Sequence, residues 1–104
     1  MPTHSLTIII PAYNEADAIS PTLDQILHIM ESRSLKNFEV LVFDDASTDR
    51  TGSIAEEYAK KHAHVRVFRN PKNSGMGYSY KEGVKAAANE YLMPVHAITN
   101  AAVR

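Results

Sequence analysis

Cysteine is absent from the 104 residues, which excludes disulfides, zinc-thiolate sites and a thiol nucleophile and fits a reducing compartment. An excess of charge of either sign is also lacking: 11 Lys and Arg stand against 12 Asp and Glu, for a formal net charge of −1. That balance gives no electrostatic reason to expect nucleic acid or an anionic membrane surface as a partner. No apolar run approaches the ~20 residues that a membrane-spanning helix needs. The start, Met1-Pro2-Thr3-His4-Ser5, lacks the basic segment and long apolar stretch of a secretory signal. These absences lead to the expectation of a soluble, cytoplasmic protein without a transmembrane segment. The length allows one domain, 1–104, and not two.

What is there alternates in period. Leu6-Thr7-Ile8-Ile9-Ile10 is short, apolar and β-branched and meets Pro11, as expected of a strand buried on both faces of a parallel sheet. A helix is predicted from about Ile19 to Ser34, with Ser20 as N-cap and Pro21 at the first helical position. Its apolar stripe is Leu23, Ile26, Leu27 and Met30. Phe38 to Phe43 reads as a second strand, ending in Asp44-Asp45. Ser47, Thr48 and Asp49 then supply caps for a helix to about His62. Val65 to Phe68 reads as a third, edge strand. A polar loop from Asn70 to Gly77 leads to a helix over Tyr80–Asn89 with Val84, Ala87 and Ala88 inward. Tyr91 to Val95 is a fourth strand whose Pro94 places it at an edge or distorts it. The alternating order argues for a parallel sheet with helices on both faces. Ligands of such sheets bind beyond the carboxyl ends of the strands.

Three polar clusters lie at those ends. Asp44 and Asp45 are adjacent carboxylates that need partners, and strand alternation points them to opposite sides. One can bond loop amides while the other faces a ligand crevice; Asp45 as a plain turn cap is the competing reading. In Pro11-Ala12-Tyr13-Asn14-Glu15, Tyr13 is suited to stack on a flat heterocycle and Glu15 to accept from its N–H or from ribose hydroxyls. A helix start capped by Asn14 or Asp17 explains the same residues. In the stretch from Arg69 to Tyr78, Gly75 and Gly77 precede a helix, where backbone N–H groups can approach a phosphate and Lys72 and Arg69 can add charge.

In this order and spacing, Pro-Ala-Tyr-Asn-Glu after the first strand, Asp-Asp-Ala-Ser-Thr-Asp-Arg-Thr after the second and Arg-Asn-x4-Gly-x-Gly before the third helix resemble the opening half of family 2 glycosyltransferases. The stretch from Asn73 to Gly83 looks most like the subgroup that makes polyprenyl-phosphate sugars. The resemblance implies a three-layer αβα, Rossmann-like fold of the GT-A type with strand order 3-2-1-4. It implies a UDP- or GDP-linked sugar as donor. Pro11, Ala12, Tyr13 and Glu15 would line the base and ribose pocket, Asp45 would contact the base with Asp44 beside it, and Gly75 and Gly77 would close the nucleotide side.

The family's next motif is Asp-x-Asp, which holds Mg²⁺ or Mn²⁺ on the diphosphate. Here His96 and Ile98 occupy the two positions; Ile98 cannot bind a metal, and a lone His is a poor anchor for a hard cation. No metal ligand or catalytic base is therefore assigned. Against the family pattern the chain is truncated, lacking the acceptor half. The expectations are a nucleotide-sugar-binding domain of a glycosyltransferase or, alternatively, a non-catalytic or self-associating fragment of that fold that does not transfer sugar alone. An uncovered fourth-strand edge predicts self-association through Tyr91–Val95, extended by residues 97–104. An unrelated phosphate-accepting receiver domain would carry its acidic pair after the first strand, which this chain does not.

Overall fold

The computed structural model describes residues 6–33, 37–87 and 91–95. The elements run β1 (Leu6–Ala12), α1 (Ala16–Ser32), β2 (Phe38–Asp44), α2 (Thr51–Lys61), β3 (Val65–Arg69), α3 (Met76–Ala86) and β4 (Tyr91–Pro94). The four strands form one parallel sheet in the order β3-β2-β1-β4. The α/β class, the order and the edge position of β3 match the sequence reading.

Period-two alternation divides the core. Ile8, Ile10, Val40 and Val42 face one side of the sheet, where they pack with Ile19, Leu23, Leu27 and Ala55 of α1 and α2. Ile9, Leu41 and Phe43 face the other side, with Phe68, Tyr80 and Ala86. Residues of β1 and β2 are buried on both faces, which explains why these strands carry no polar alternation.

Two of the five prolines, Pro11 and Pro94, sit in strands, at the end and at the outer edge of the ladder. β1 continues through Pro11 to Ala12, past the expected stop. Ile9 O accepts from Val95 N and Ala12 O accepts from Asp45 N, so odd positions of β1 face β4 and even positions face β2. Pro11 thus turns its missing N–H toward β4, beyond the last pair, Ile9↔Pro94. Val95 N faces β1, so Pro94 lacks its N–H on the outer edge, where a proline is tolerated.

Two helix starts differ from the sequence reading. α1 begins at Ala16, not near Ile19, and Pro21 lies inside it rather than at its first position. The reason is tertiary capping. Glu15 N donates to Thr51 Oγ1 at 2.8 Å and Ala16 N to Asp49 Oδ2 at 3.2 Å, so the orphan amides of the helix start are satisfied from another loop. Ser20, expected as the cap, instead hydrogen-bonds Tyr58 Oη at 2.6 Å and ties α1 to α2. Likewise α3 begins at Met76, not Tyr80. Val84 is 56% exposed, whereas Ser79 and Gly83 are buried; α3 meets the sheet through these two small residues, which carry no apolar signal, together with Tyr80 and Ala86. Ser34, Ala88 and Asn89 lie outside the described residues.

The β2–β3 side is fastened by an ion pair. Arg69, the last residue of β3, directs Nε to Asp44 Oδ2 and Nη1 to Glu56 Oε2, each at 3.4 Å. It is thereby turned away from the loop that follows it, where the sequence reading placed its charge. Gly52, in the first turn of α2, makes room for it: a Cβ there would overlap the Arg69 guanidinium and the Asp44 carboxylate. Asp44 is only 3% exposed while the Arg69 side chain is 46% exposed, so the pair is partly screened by solvent, and displacing Arg69 costs the buried carboxylate one of its partners. The overlap introduced by Gly52→Ala is therefore expected to cost about 2 kcal/mol, against a helix-propensity gain of about 1 kcal/mol; the urea midpoint of the variant measures the net loss.

Candidate nucleotide-binding crevice

Asp45 follows β2 directly and projects to the α3 side, opposite Asp44. It is 6% exposed, and a buried carboxylate must be hydrogen-bonded. Its Oδ1 accepts from Asn70 Nδ2 and from Ser74 N, both at 2.8 Å, and its Oδ2 accepts from Gly75 N at 2.9 Å. These donors come from the loop after β3, so the carboxylate pins that loop across the end of the sheet. Gly75 has φ of 91°, a backbone region that glycine adopts without strain, and α3 starts at the next residue. Asp44 has different work: its Oδ1 accepts from Ser47 N at 3.1 Å and its Oδ2 meets Arg69. The two carboxylates thus diverge, as strand alternation requires, and both hold loops.

Between β1's end and α3 lies a crevice of about 100 Å³ lined by Pro11, Ala12, Tyr13, Glu15, Asp45, Met76 and Ser79. Five of the eight residues expected at the site are gathered there. Asp44 is on the other face. Gly75 acts through its amide on Asp45. Gly77 sits in the first turn of α3 with open space where a Cβ would be. Met76 and Ser79 were missed because the start of α3 was placed too late; the signal available was Gly75 itself, a residue suited to stop a loop and release a helix. The crevice is smaller than the roughly 300 Å³ at which whole-ligand pockets begin, a volume that suits one ring rather than a complete nucleotide.

The lining sorts by depth. Tyr13 and Met76 are 45% and 48% exposed and form a half-open apolar rim. Asp45 lies deep. A carboxylate offers about four acceptor positions; two on Oδ1 and one on Oδ2 are taken, leaving one on Oδ2. Glu15 Oε1 accepts from Tyr13 N at 3.0 Å, which keeps this second acceptor at the rim. The arrangement suits a flat heterocycle held between apolar surfaces and donating a single N–H to Asp45.

Among the described residues, no three His, Cys, Asp or Glu side chains converge as metal ligands; His96 and Ile98 lie outside the described residues.

Burial alone raises the Asp45 pKa, but the Asn70 side chain and the Ser74 and Gly75 amides outweigh it and hold the group below its ordinary 3.8. A carboxylate lowered on folding contributes stability above its unfolded value, and that contribution is lost as pH falls through the folded one. Unfolding free energy is therefore expected to decline as pH drops below about 5. Asp45→Asn, which does not titrate, should show a shallower decline in denaturant titrations across the same range.

Comparison with known proteins matches this geometry to a family. The model of "Glycosyl transferase family 2" matches residues 7–97. A dolichyl-phosphate beta-glucosyltransferase of Trichomonas vaginalis is 36% identical over 95 residues, covering 88% of this chain and 28% of that protein. The dolichyl-phosphate beta-glucosyltransferase of Homo sapiens is 32% identical over 98 residues, covering 88% and 30%. The mannosyltransferase PcManGT from Pyrobaculum calidifontis, solved with GDP-Man and Mn²⁺, superposes with a TM-score of 0.81 at 28% identity, covering 92% of this chain and 28% of that one. S. aureus TarS 1-349 in complex with UDP gives 0.77 at 30% identity, covering 89% and 27%. The chain spans less than a third of the length of these relatives. With the order β3-β2-β1-β4 and a crevice at the strand ends, the chain belongs to glycosyltransferase family 2 and carries its GT-A, Rossmann-like fold.

Proposed function

We propose that this chain is the donor-binding part of a glycosyltransferase and that its crevice holds the uridine end of a UDP-sugar. The observation that carries the reading is the single open acceptor position on buried Asp45. Uracil presents one N–H, flanked by carbonyls, on its pairing edge. Guanine presents an N–H and an adjacent amino group, which call for an open position on each carboxylate oxygen. Oδ1 has none left once Asn70 and Ser74 are bonded. Tyr13 and Met76 supply the faces for the ring, and Glu15 an acceptor for ribose hydroxyls. Pro11 and Ala12 complete the wall, while Gly75 and Gly77 stand on the phosphate side. The relatives named for dolichyl phosphate support a polyprenyl-phosphate acceptor for the whole protein, and the Mn²⁺ of the mannosyltransferase supports a divalent ion on the diphosphate. A cytoplasmic site of action is compatible with the lack of cysteine, and among the described residues no helix is long and apolar enough to cross a membrane.

Titration calorimetry with UDP and GDP, each with and without Mn²⁺, tests the reading. UDP is expected to bind at least about tenfold more tightly than GDP, since one buried unmatched donor is worth roughly 1–3 kcal/mol, and Asp45→Ala should abolish the difference. Equal affinity for the two removes the uridine assignment; no binding to either removes the donor-site reading.

The reading includes self-association at β4. Among the described residues, β4 pairs only with β1. Its outer edge is blunted by Pro94, so Leu92 is its one outward amide donor. Contact therefore falls to apolar side chains: exposed Leu92 and Met93, and a groove between α1 and β4 lined by Ile26, Ile29, Met30, Met93 and Val95. Residues 97–104, expected to extend the contact, lie outside the described residues. Sedimentation equilibrium should show a concentration-dependent dimer that Met93→Lys returns to monomer; a monomer at every concentration removes this part of the reading.

A further inference from the structure

Tyr13 and Glu15 both line the crevice, and the residue between them turns away from it. Asn14 has φ of 51°, the left-handed region that Gly, Asn and Asp visit most readily. Its side chain reaches the loop after β2. Asn14 Oδ1 accepts from Thr48 N at 2.8 Å, from Thr48 Oγ1 at 3.3 Å and from Asp49 N at 3.4 Å, while Asn14 N donates to Ser47 Oγ at 2.9 Å. The next two amides run the same way, Glu15 N to Thr51 Oγ1 and Ala16 N to Asp49 Oδ2. Three successive amides, from Asn14 to the first residue of α1, thus donate to Ser47, Thr51 and Asp49 at the approach to and start of α2, and the Asn14 side chain returns the contact. Ser47 N is in turn held by Asp44. The crevice wall is thereby connected to the ion pair on the opposite face of the sheet.

We propose that Asn14 is a positioning residue, a latch that holds Tyr13 and Glu15 in the crevice by fastening their loop to residues 47–49. The proposal rests on the nucleotide-binding reading of the crevice. Position 14 needs a left-handed backbone together with a side-chain acceptor. Glycine supplies the first and not the second; Asn and Asp supply both. Asn does so without adding charge beside Asp49, whose carboxylate is already bonded to this loop.

The test compares the wild-type chain with Asn14→Gly and Asn14→Asp. Amide hydrogen exchange at Thr48 and Asp49, measured without nucleotide, reads the latch. Calorimetry with UMP and UDP reads its effect on the crevice. For Asn14→Gly, exchange at both amides should accelerate by about tenfold, and both nucleotides should weaken by about tenfold, the effect of losing one to two net hydrogen bonds. Equal loss for UMP and UDP is expected because the latch governs the wall around the base, not the diphosphate. Asn14→Asp, which keeps the acceptor, should return both readouts to within about threefold of wild type, a residual under roughly 0.7 kcal/mol. Unchanged exchange in Asn14→Gly overturns the latch. Faster exchange with unchanged affinity overturns its role in positioning Tyr13 and Glu15. A wild-type chain that binds neither nucleotide overturns the donor-site reading instead, with exchange still deciding whether the two loops are latched.

Discussion

Two adjacent carboxylates at the end of an interior strand impose a demand that most of the surrounding structure meets. Asp44 and Asp45 are both buried, and a buried charge without partners is far more costly than a neutral polar group. Because neighbouring side chains on an extended backbone diverge, the two cannot share donors. One set must come from the α1–α2 side of the sheet and another from the α3 side. The first consists of Arg69 and the Ser47 amide. The second consists of Asn70, Ser74 and Gly75. Four connected features follow: the close approach at Gly52, the fold-back of the loop after β3, the left-handed turn at Gly75 and the early start of α3.

The same demand explains why the crevice forms where it does. β1 and β2 are interior and buried on both faces, so the loops at their ends start from strands fixed on both sides. Asp45 N bonds Ala12 O, which brings the end of β2 against the wall that carries Tyr13. Asp45 then draws residues 70–75 toward that wall, and α3 delivers Met76 and Ser79 as its first inward residues. The crevice is thus the space left between the loop after β1, whose amides are held by Ser47, Asp49 and Thr51, and the loop after β3, which Asp45 holds.

The sheet was legible in the sequence because its signal is local. Runs such as Ile8-Ile9-Ile10 and Val40-Leu41-Val42 carry strand length, burial and parallel class together, and the acidic pair marks a strand end whatever surrounds it. The helix starts were not legible, since their caps are supplied from elsewhere in the chain. Nothing near Ala16 announces that Asp49 and Thr51 will cap it, and Ser20-Pro21 imitates a local start so well that it displaces the true one. Val84 misleads for a related reason: beside Tyr80 and Ala86, α3 lies against the sheet through Ser79 and Gly83, where small size permits the approach and hydrophobicity says nothing. Of the site, the residues on β1's end and Asp45 were readable from motif order, whereas Met76 and Ser79 depended on the helix start and were lost with it.

One consequence concerns what a carboxylate at this position can recognise. A group recruited only for a ligand would keep its acceptor positions open and would stay near the surface. Asp45 is buried and gives three of four positions to the protein, so its geometry is fixed before any ligand arrives. That arrangement lowers the cost of ordering at binding and narrows what can be bound, because a fixed carboxylate with one free position admits one donor along one direction. On the proposed reading, the carboxylate that holds the loop after β3 would also select the ring, through Oδ2, which keeps the one open position. On that reading, selectivity at the base would be tied to the stability of the loop, and a change that loosens residues 70–75 would also change what Asp45 can accept.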